Sequence, residues 1–194
     1  MTRSPQSYTV MWPMDRCKWL DKAGETGKPI QVIFGGTHQS IPSLSHFKVQ
    51  PGDAVYPIYV VKGVMHVIAR LTISEIVPLE TYLRDVLKLP RRMLELPLFD
   101  LTEVLEKEMP HLGHRMPYGC LYEAGMGEGT PMRWDVTVPP AMLESIRYQS
   151  SRGERPIKHV ENGVLKRTIS IHGGVYRLSD ASAKDFERLV GVAD

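Results

Sequence analysis

At 194 residues, with 42% hydrophobic and 24% charged side chains, the chain has ordinary globular composition and enough length for one sizeable core or two small ones. Its 24 Lys and Arg are nearly cancelled by 22 Asp and Glu, leaving +2, so no overall field drives it onto polyanions and any nucleic-acid contact needs a local basic patch. No apolar run approaches the roughly 18 to 20 residues of a membrane span, and Met1 to Gln6 lacks a signal-type apolar region, which sets the expectation of a soluble cytoplasmic protein without a membrane partner.

In chain order, Ser7 to Trp12 reads as a short strand ended by Pro13, and Met14, Cys17, Trp19 and Leu20 mark one face of a short helix. Cys17 and Cys120 have no CxxC spacing and read as free thiols. Ile30 to Phe34 is a second strand, stopped by Gly35-Gly36, and Thr37 to Ser45 is a polar surface loop. Gln50-Pro51-Gly52-Asp53 is turn chemistry. Beyond it, Ala54 to Val61, the pair Lys62-Gly63 and the long run Val64 to Val77 predict a β-hairpin whose second arm crosses the middle of a sheet.

Leu79, Tyr82, Leu83, Val86 and Leu87 lie at helical spacing before Pro90, and Asp100 with Glu103 suggests the capped start of a helix running to Met109. Met132 to Val138 alternates as a strand does, Pro139-Pro140 opens a helix through about Tyr148, and Ile157 to Val160 has the composition of a short strand. Asn162-Gly163 is a strong turn signal, Lys166 to Ile171 and Val175 to Leu178 read as strands around Gly173-Gly174, and Ser179 caps a last helix from Ala181 to Val190. The expectation is an α+β fold: a bent antiparallel sheet, barrel-like, with covering helices over residues 1–110 and a C-terminal β/α extension over 111–194 that either completes the fold or forms a second lobe.

The strand, the Gly52-Asp53 turn, the long apolar strand, Lys62-Gly63 and the second long strand ending at Glu75-Ile76-Val77 resemble the core of the PUA-like superfamily, which includes PUA, ASCH and EVE/YTH-type domains. The resemblance spans about Tyr8 to Val77 and is to the superfamily in general. The G-x-K-x-x-E-x-R signature of ASCH domains is absent, since Gly27-Lys28-Pro29 is followed by Ile30 and Gln31. It implies a PUA-like β-barrel and non-catalytic recognition of DNA or RNA, in some members through an aromatic-walled pocket for an extruded, often modified base.

Such a pocket needs π-faces, hydrogen-bonding groups for a base edge, and cations for phosphate. Trp12 and Trp19 flank a polar, proline-broken segment and are the candidate stacking rings, while Thr37, His38, Gln39 and Ser40 supply edge contacts. Arg91, Arg92, Arg152 and Arg155 are candidate phosphate ligands. No cofactor or metal is implied: His111 and His114 have metal-like spacing without a helix or a nearby acidic or thiol ligand. Gly125 to Thr130 lacks the lysine of a phosphate loop and reads as a mobile loop. Two other readings stay open from sequence, a hydrolase or nuclease using His38, His46 or His66 as base, and an adaptor using the Leu79 to Met109 helices.

Overall fold

The computed structural model describes residues 3–39, 41–108 and 120–191. In chain order the elements are β1 (Ser7–Met11), α1 (Met14–Lys22), β2 (Val32–Gly36), β3 (Ala54–Val61), β4 (Val64–Val67), β5 (Leu71–Pro78) and α2 (Leu79–Thr81), which a π turn (Tyr82–Val86) continues. Then follow α3 (Arg91–Leu94), α4 (Leu98–Glu108), β6 (Leu121–Gly129), α5 (Pro140–Ser145), β7 (Arg147–Ser150), β8 (Gly153–Pro156), β9 (Val160–Glu161), β10 (Val164–Leu165), β11 (Val175–Arg177) and α6 (Asp180–Leu189). The fold is α+β, and no helix among the described residues is long and apolar enough to cross a membrane.

Seven strands form the main sheet in the order β11-β1-β3-β5-β6-β2, with β4 folded back on β3. Strand β3 is central because both its faces are apolar. Val55 and Tyr59 enter one cluster with β1, α1 and Leu71, while Ala54, Tyr56 and Ile58 enter another with α5, β7 and α6. A third cluster packs the α2 to α4 helices on Val32, Phe34, Leu121 and Ala124 at the opposite end of the sheet. The sheet draws β6 and β11 from the second half of the chain.

Three expectations about the sheet are corrected. It is mixed, since β1 runs parallel to β3, and a parallel pair needs the long crossover that α1, β2 and the following loop provide. It is also open: the order ends at β11 and β2, so the barrel expected from sequence is not closed. The edges are instead blunted, β11 by a bridge from Tyr148 to Leu178 beside it and β2 by a bridge from Gly36 to Pro42. The run Val64 to Val77 is two strands, because Pro57 on the partner strand has no N–H to donate. The chain leaves the β3 ladder there, and Ile68 donates instead to the Pro57 carbonyl at 2.9 Å.

The Lys62-Gly63 and Asn162-Gly163 turns form as expected, with all four residues at positive φ. Ser179 caps α6 by accepting from the Ser182 N–H, and Cys17 and Cys120 are free thiols, with burial pushing Cys17 up to about 12. Met132 to Val138 is not a strand. It runs beside β4 with irregular bonds, Val67 N–H to Val136 carbonyl at 3.0 Å and Val138 N–H to Met65 carbonyl at 2.8 Å, and a single bridge at Thr137. Lys166 to Ile171 holds a 3-10 turn at Thr168–Ser170 rather than a strand, Tyr148 belongs to β7 rather than to the helix before it, and Asp100 lies inside the first turn of α4.

The glycines of Gly125 to Gly129 are strand residues in β6, not a mobile loop. They are needed where neighbouring chain comes close: a Cβ on Gly127 would sit 1.8 Å from the Thr72 carbonyl oxygen. Gly35 and Gly36 likewise continue β2 instead of stopping it.

Candidate nucleic-acid interface

Of the ten residues expected to contact nucleic acid, the nine that are described do not form one site. Trp12 is 2% exposed, with the Arg16 guanidinium 3.7 Å over its ring. The cavity it lines with Arg16, Glu25 and Met132 is about 20 Å³, room for a water rather than a base. Trp19 is 43% exposed on α1, and Thr37, His38 and Gln39 are exposed beyond β2; Ser40 lies outside the described residues. Arg91 and Arg92 are on α3 at the helical end of the molecule, with Arg91 paired to Glu95 at 2.9 Å. Arg155, half-buried on β8, lines a groove that sequence reasoning missed, whereas Arg152, at the exposed tip of the β7–β8 hairpin, is not among the described residues that line it.

This groove has a volume of about 550 Å³ and passes over the edge strand β11. Alternation along β11 explains how both faces contribute. Arg177 stands opposite Tyr8 on one face, whereas Tyr176, opposite Thr9, turns to the face that holds Tyr148. The β7–β8 register sets Arg155 against Tyr148, and its guanidinium lies 5.5 Å from the centre of the Tyr176 ring. The far wall is Phe47 and Lys48, from the loop before β3, together with Arg3 of the N-terminal arm.

Asp53 ties that wall together. Its buried carboxylate accepts from Arg3 Nη1 at 3.0 Å and from the backbone N–H groups of Gln6 and Gln50 at 2.8 Å each. Arg3 Nη2 in turn donates to the Lys48 carbonyl at 3.0 Å, so arm and loop are pulled side by side. Lys48 has φ 62°, a left-handed conformation that costs a lysine strain.

The electrostatics of the groove are one-sided. Asp53 cancels Arg3, but among the described residues Lys48, Arg155 and Arg177 make no ion pair and no carboxylate lines the groove. The hydrogen bond to Asp53 raises the Arg3 guanidinium further above its usual value, which keeps it charged. Burial raises the Tyr8, Tyr148 and Tyr176 phenols, so all three stay neutral; nearby arginines oppose the rise in each, Arg3 and Arg177 at Tyr8 and Arg155 at the other two. Three unpaired cations, neutral phenol rings and the hydroxyls of Ser150 and Ser151 are the chemistry of a phosphate and base contact. A second groove of about 660 Å³, between the π turn and the β5–β6 ladder, has the opposite sign, with Glu75 and Glu128 on it and no cation among the described residues.

The residues of the enzyme reading are scattered. His38 and His46 are exposed, and His46 packs edge-on against Phe47. His66 stacks on Tyr59, ring centres 4.5 Å apart, and its Nδ1–H donates to the Trp134 carbonyl at 3.1 Å, a carbonyl that Tyr59 Oη also donates to. Among the described residues no three His, Cys, Asp or Glu side chains converge as metal ligands, and His111 and His114 lie outside those residues.

Burial lowers the His66 pKa, and the bond to Trp134 only partly opposes this. Its unfolded value is near 6.5, so below that pH the unfolded chain takes up the proton first. The stabilisation from keeping His66 neutral is complete above about pH 6.5 and is lost as pH falls through the lower folded value. Urea denaturation at about pH 7.5 and pH 5 should therefore show a smaller acid loss for His66→Gln than for the native chain, and equal losses would disprove the assignment.

Comparison with protein-family models, with curated proteins and with solved structures found no match to the chain in any of the three.

Proposed function

We propose that this protein is a non-catalytic nucleic-acid-binding protein whose contact surface is the groove over β11. The observation that carries the reading is the combination in one groove of Lys48, Arg155 and Arg177, which among the described residues have no ion-pair partner and face no lining carboxylate, with Phe47 and Tyr176 half-buried among them. A chain of net charge +2 gains nothing from its overall field, so such a local concentration is where a polyanion would dock. The PUA-like likeness implies a base pocket with Trp12 and Trp19 as its stacking rings. The groove requires neither that pocket nor a closed barrel; of the residues expected from sequence it includes Arg155, and Arg3, Lys48, Tyr176 and Arg177 join it there.

The test is fluorescence polarisation with a labelled oligonucleotide of about 12 nucleotides. Neutralising three phosphates predicts binding about 20- to 40-fold weaker at roughly 200 mM salt than at 50 mM. Lys48→Gly separates binding from folding. It removes one cation and flattens the salt slope by about 0.7, while relief of the left-handed strain leaves stability unchanged or raises it by up to about 1 kcal/mol. Arg177→Glu, exposed on the edge strand, should abolish binding with little change in stability. Salt-independent binding, or full affinity in the Arg177→Glu variant, refutes the proposal.

A further inference from the structure

We infer that the groove takes single-stranded nucleic acid and holds an unpaired base against the Arg155 guanidinium and the Tyr176 ring. This rests on the groove being the nucleic-acid contact. Tyr176 is set in place before any ligand arrives: its Oη donates to the His172 carbonyl at 2.9 Å, and its ring lies against Gly174, where a Cβ would be 3.1 Å from the ring carbon Cζ. The neighbouring Tyr148 ring, 5.2 Å away and tilted by 35°, is itself fixed by the hydrogen bond between its hydroxyl and Thr9 Oγ1 at 3.0 Å. Arg155 is therefore a planar cation backed by a rigid aromatic wall.

The recess distinguishes strands from duplexes. Tyr176 and Arg155 are half-buried, and about 550 Å³ is within the size range of recesses that enclose one small-molecule-sized group. A duplex keeps its π-faces stacked inside and offers only phosphates to such a site, so Lys48 and Arg177 would be used and the wall would not. A single strand offers both, a base face to the guanidinium and its flanking phosphates to the exposed cations.

The experiment compares, on the full chain at low salt, a mixed-sequence single strand, its duplex, and a strand of the same backbone without bases, each with deoxyribose and with ribose. For whichever sugar binds more tightly, the single strand should bind about tenfold or more tighter than both the duplex and the abasic strand. Arg155→Lys keeps the charge but loses the planar face, and should bring the ratio of single-strand to abasic affinity down towards one. Equal affinity for all three forms, or an unchanged ratio in Arg155→Lys, overturns the base contact while leaving phosphate binding in the groove intact. No salt-dependent binding of any form overturns both this inference and the reading it rests on.

Discussion

Asp53→Ala is expected to lower the free energy of unfolding by about 3 kcal/mol, and Asp53→Asn by nearly as much. The carboxylate is 1% exposed, and among the described residues every partner it has is an N–H donor: Gln6 N and Arg3 Nη1 on Oδ1, Gln50 N and Arg3 Nη2 on Oδ2. None of these groups can become an acceptor, so the amide of asparagine must turn its NH₂ towards two donors whichever way it sits. In a protein of this size the loss corresponds to a midpoint lower by roughly 6 to 12 °C. Because Asp53 also holds Arg3 against the loop that carries Lys48, both variants should weaken oligonucleotide binding beyond what their unfolding explains. Urea denaturation of the two variants side by side is the check. A loss below about 1 kcal/mol in Asp53→Ala, or rescue by Asn, would mean that this carboxylate does not anchor the arm.

Glu123→Ala should cost a similar amount, about 3 kcal/mol, but Glu123→Gln only about 1 kcal/mol. This carboxylate, 4% exposed on β6, accepts from Ser43 Oγ at 2.9 Å, Leu44 N at 2.6 Å and Ser45 N at 3.3 Å, all through Oε1, and from Ser45 Oγ through Oε2. The Oε2 partner is a hydroxyl, which can reverse its role and accept from a glutamine NH₂. The contrast with Asp53 is therefore a prediction about hydrogen-bond polarity, not merely about burial. Gly35 makes room for the arrangement, since a Cβ there would lie 2.4 Å from Glu123 Oε1. The turn that Glu123 closes leads directly into Phe47 and Lys48, so its removal should reach the groove as well. Thermal and urea unfolding of the Ala and Gln variants measure the difference; equal losses would refute the role given to Ser45.

The hairpin at Lys62-Gly63, the turn at Asn162-Gly163, α1 and the capped α6 were legible because each is fixed by residues adjacent in sequence, through positive-φ turn pairs, a side-chain cap or a local apolar spacing. The long strand was misread because the residue that breaks it, Pro57, is on the partner strand, and the β6 glycines because what they accommodate, the Thr72 carbonyl among others, is contributed from far along the chain. The groove was only partly legible. Arg155 is among the phosphate ligands expected from sequence, but nothing near it in the chain shows that Arg177, Tyr8 and Lys48 join it.

By itself, then, the sequence determined an α+β chain of ordinary composition, its local turns and caps, and the absence of an overall charge that would attract a polyanion. Only the tertiary structure decided which indole is buried, that the sheet is open and mixed, and which cations gather without acids between them. The reason is one of range. Turn conformations and caps are set by contacts a few residues apart, whereas burial and local charge depend on strands paired across the whole chain, as β11 is with β1, and no spacing in the sequence encodes that pairing.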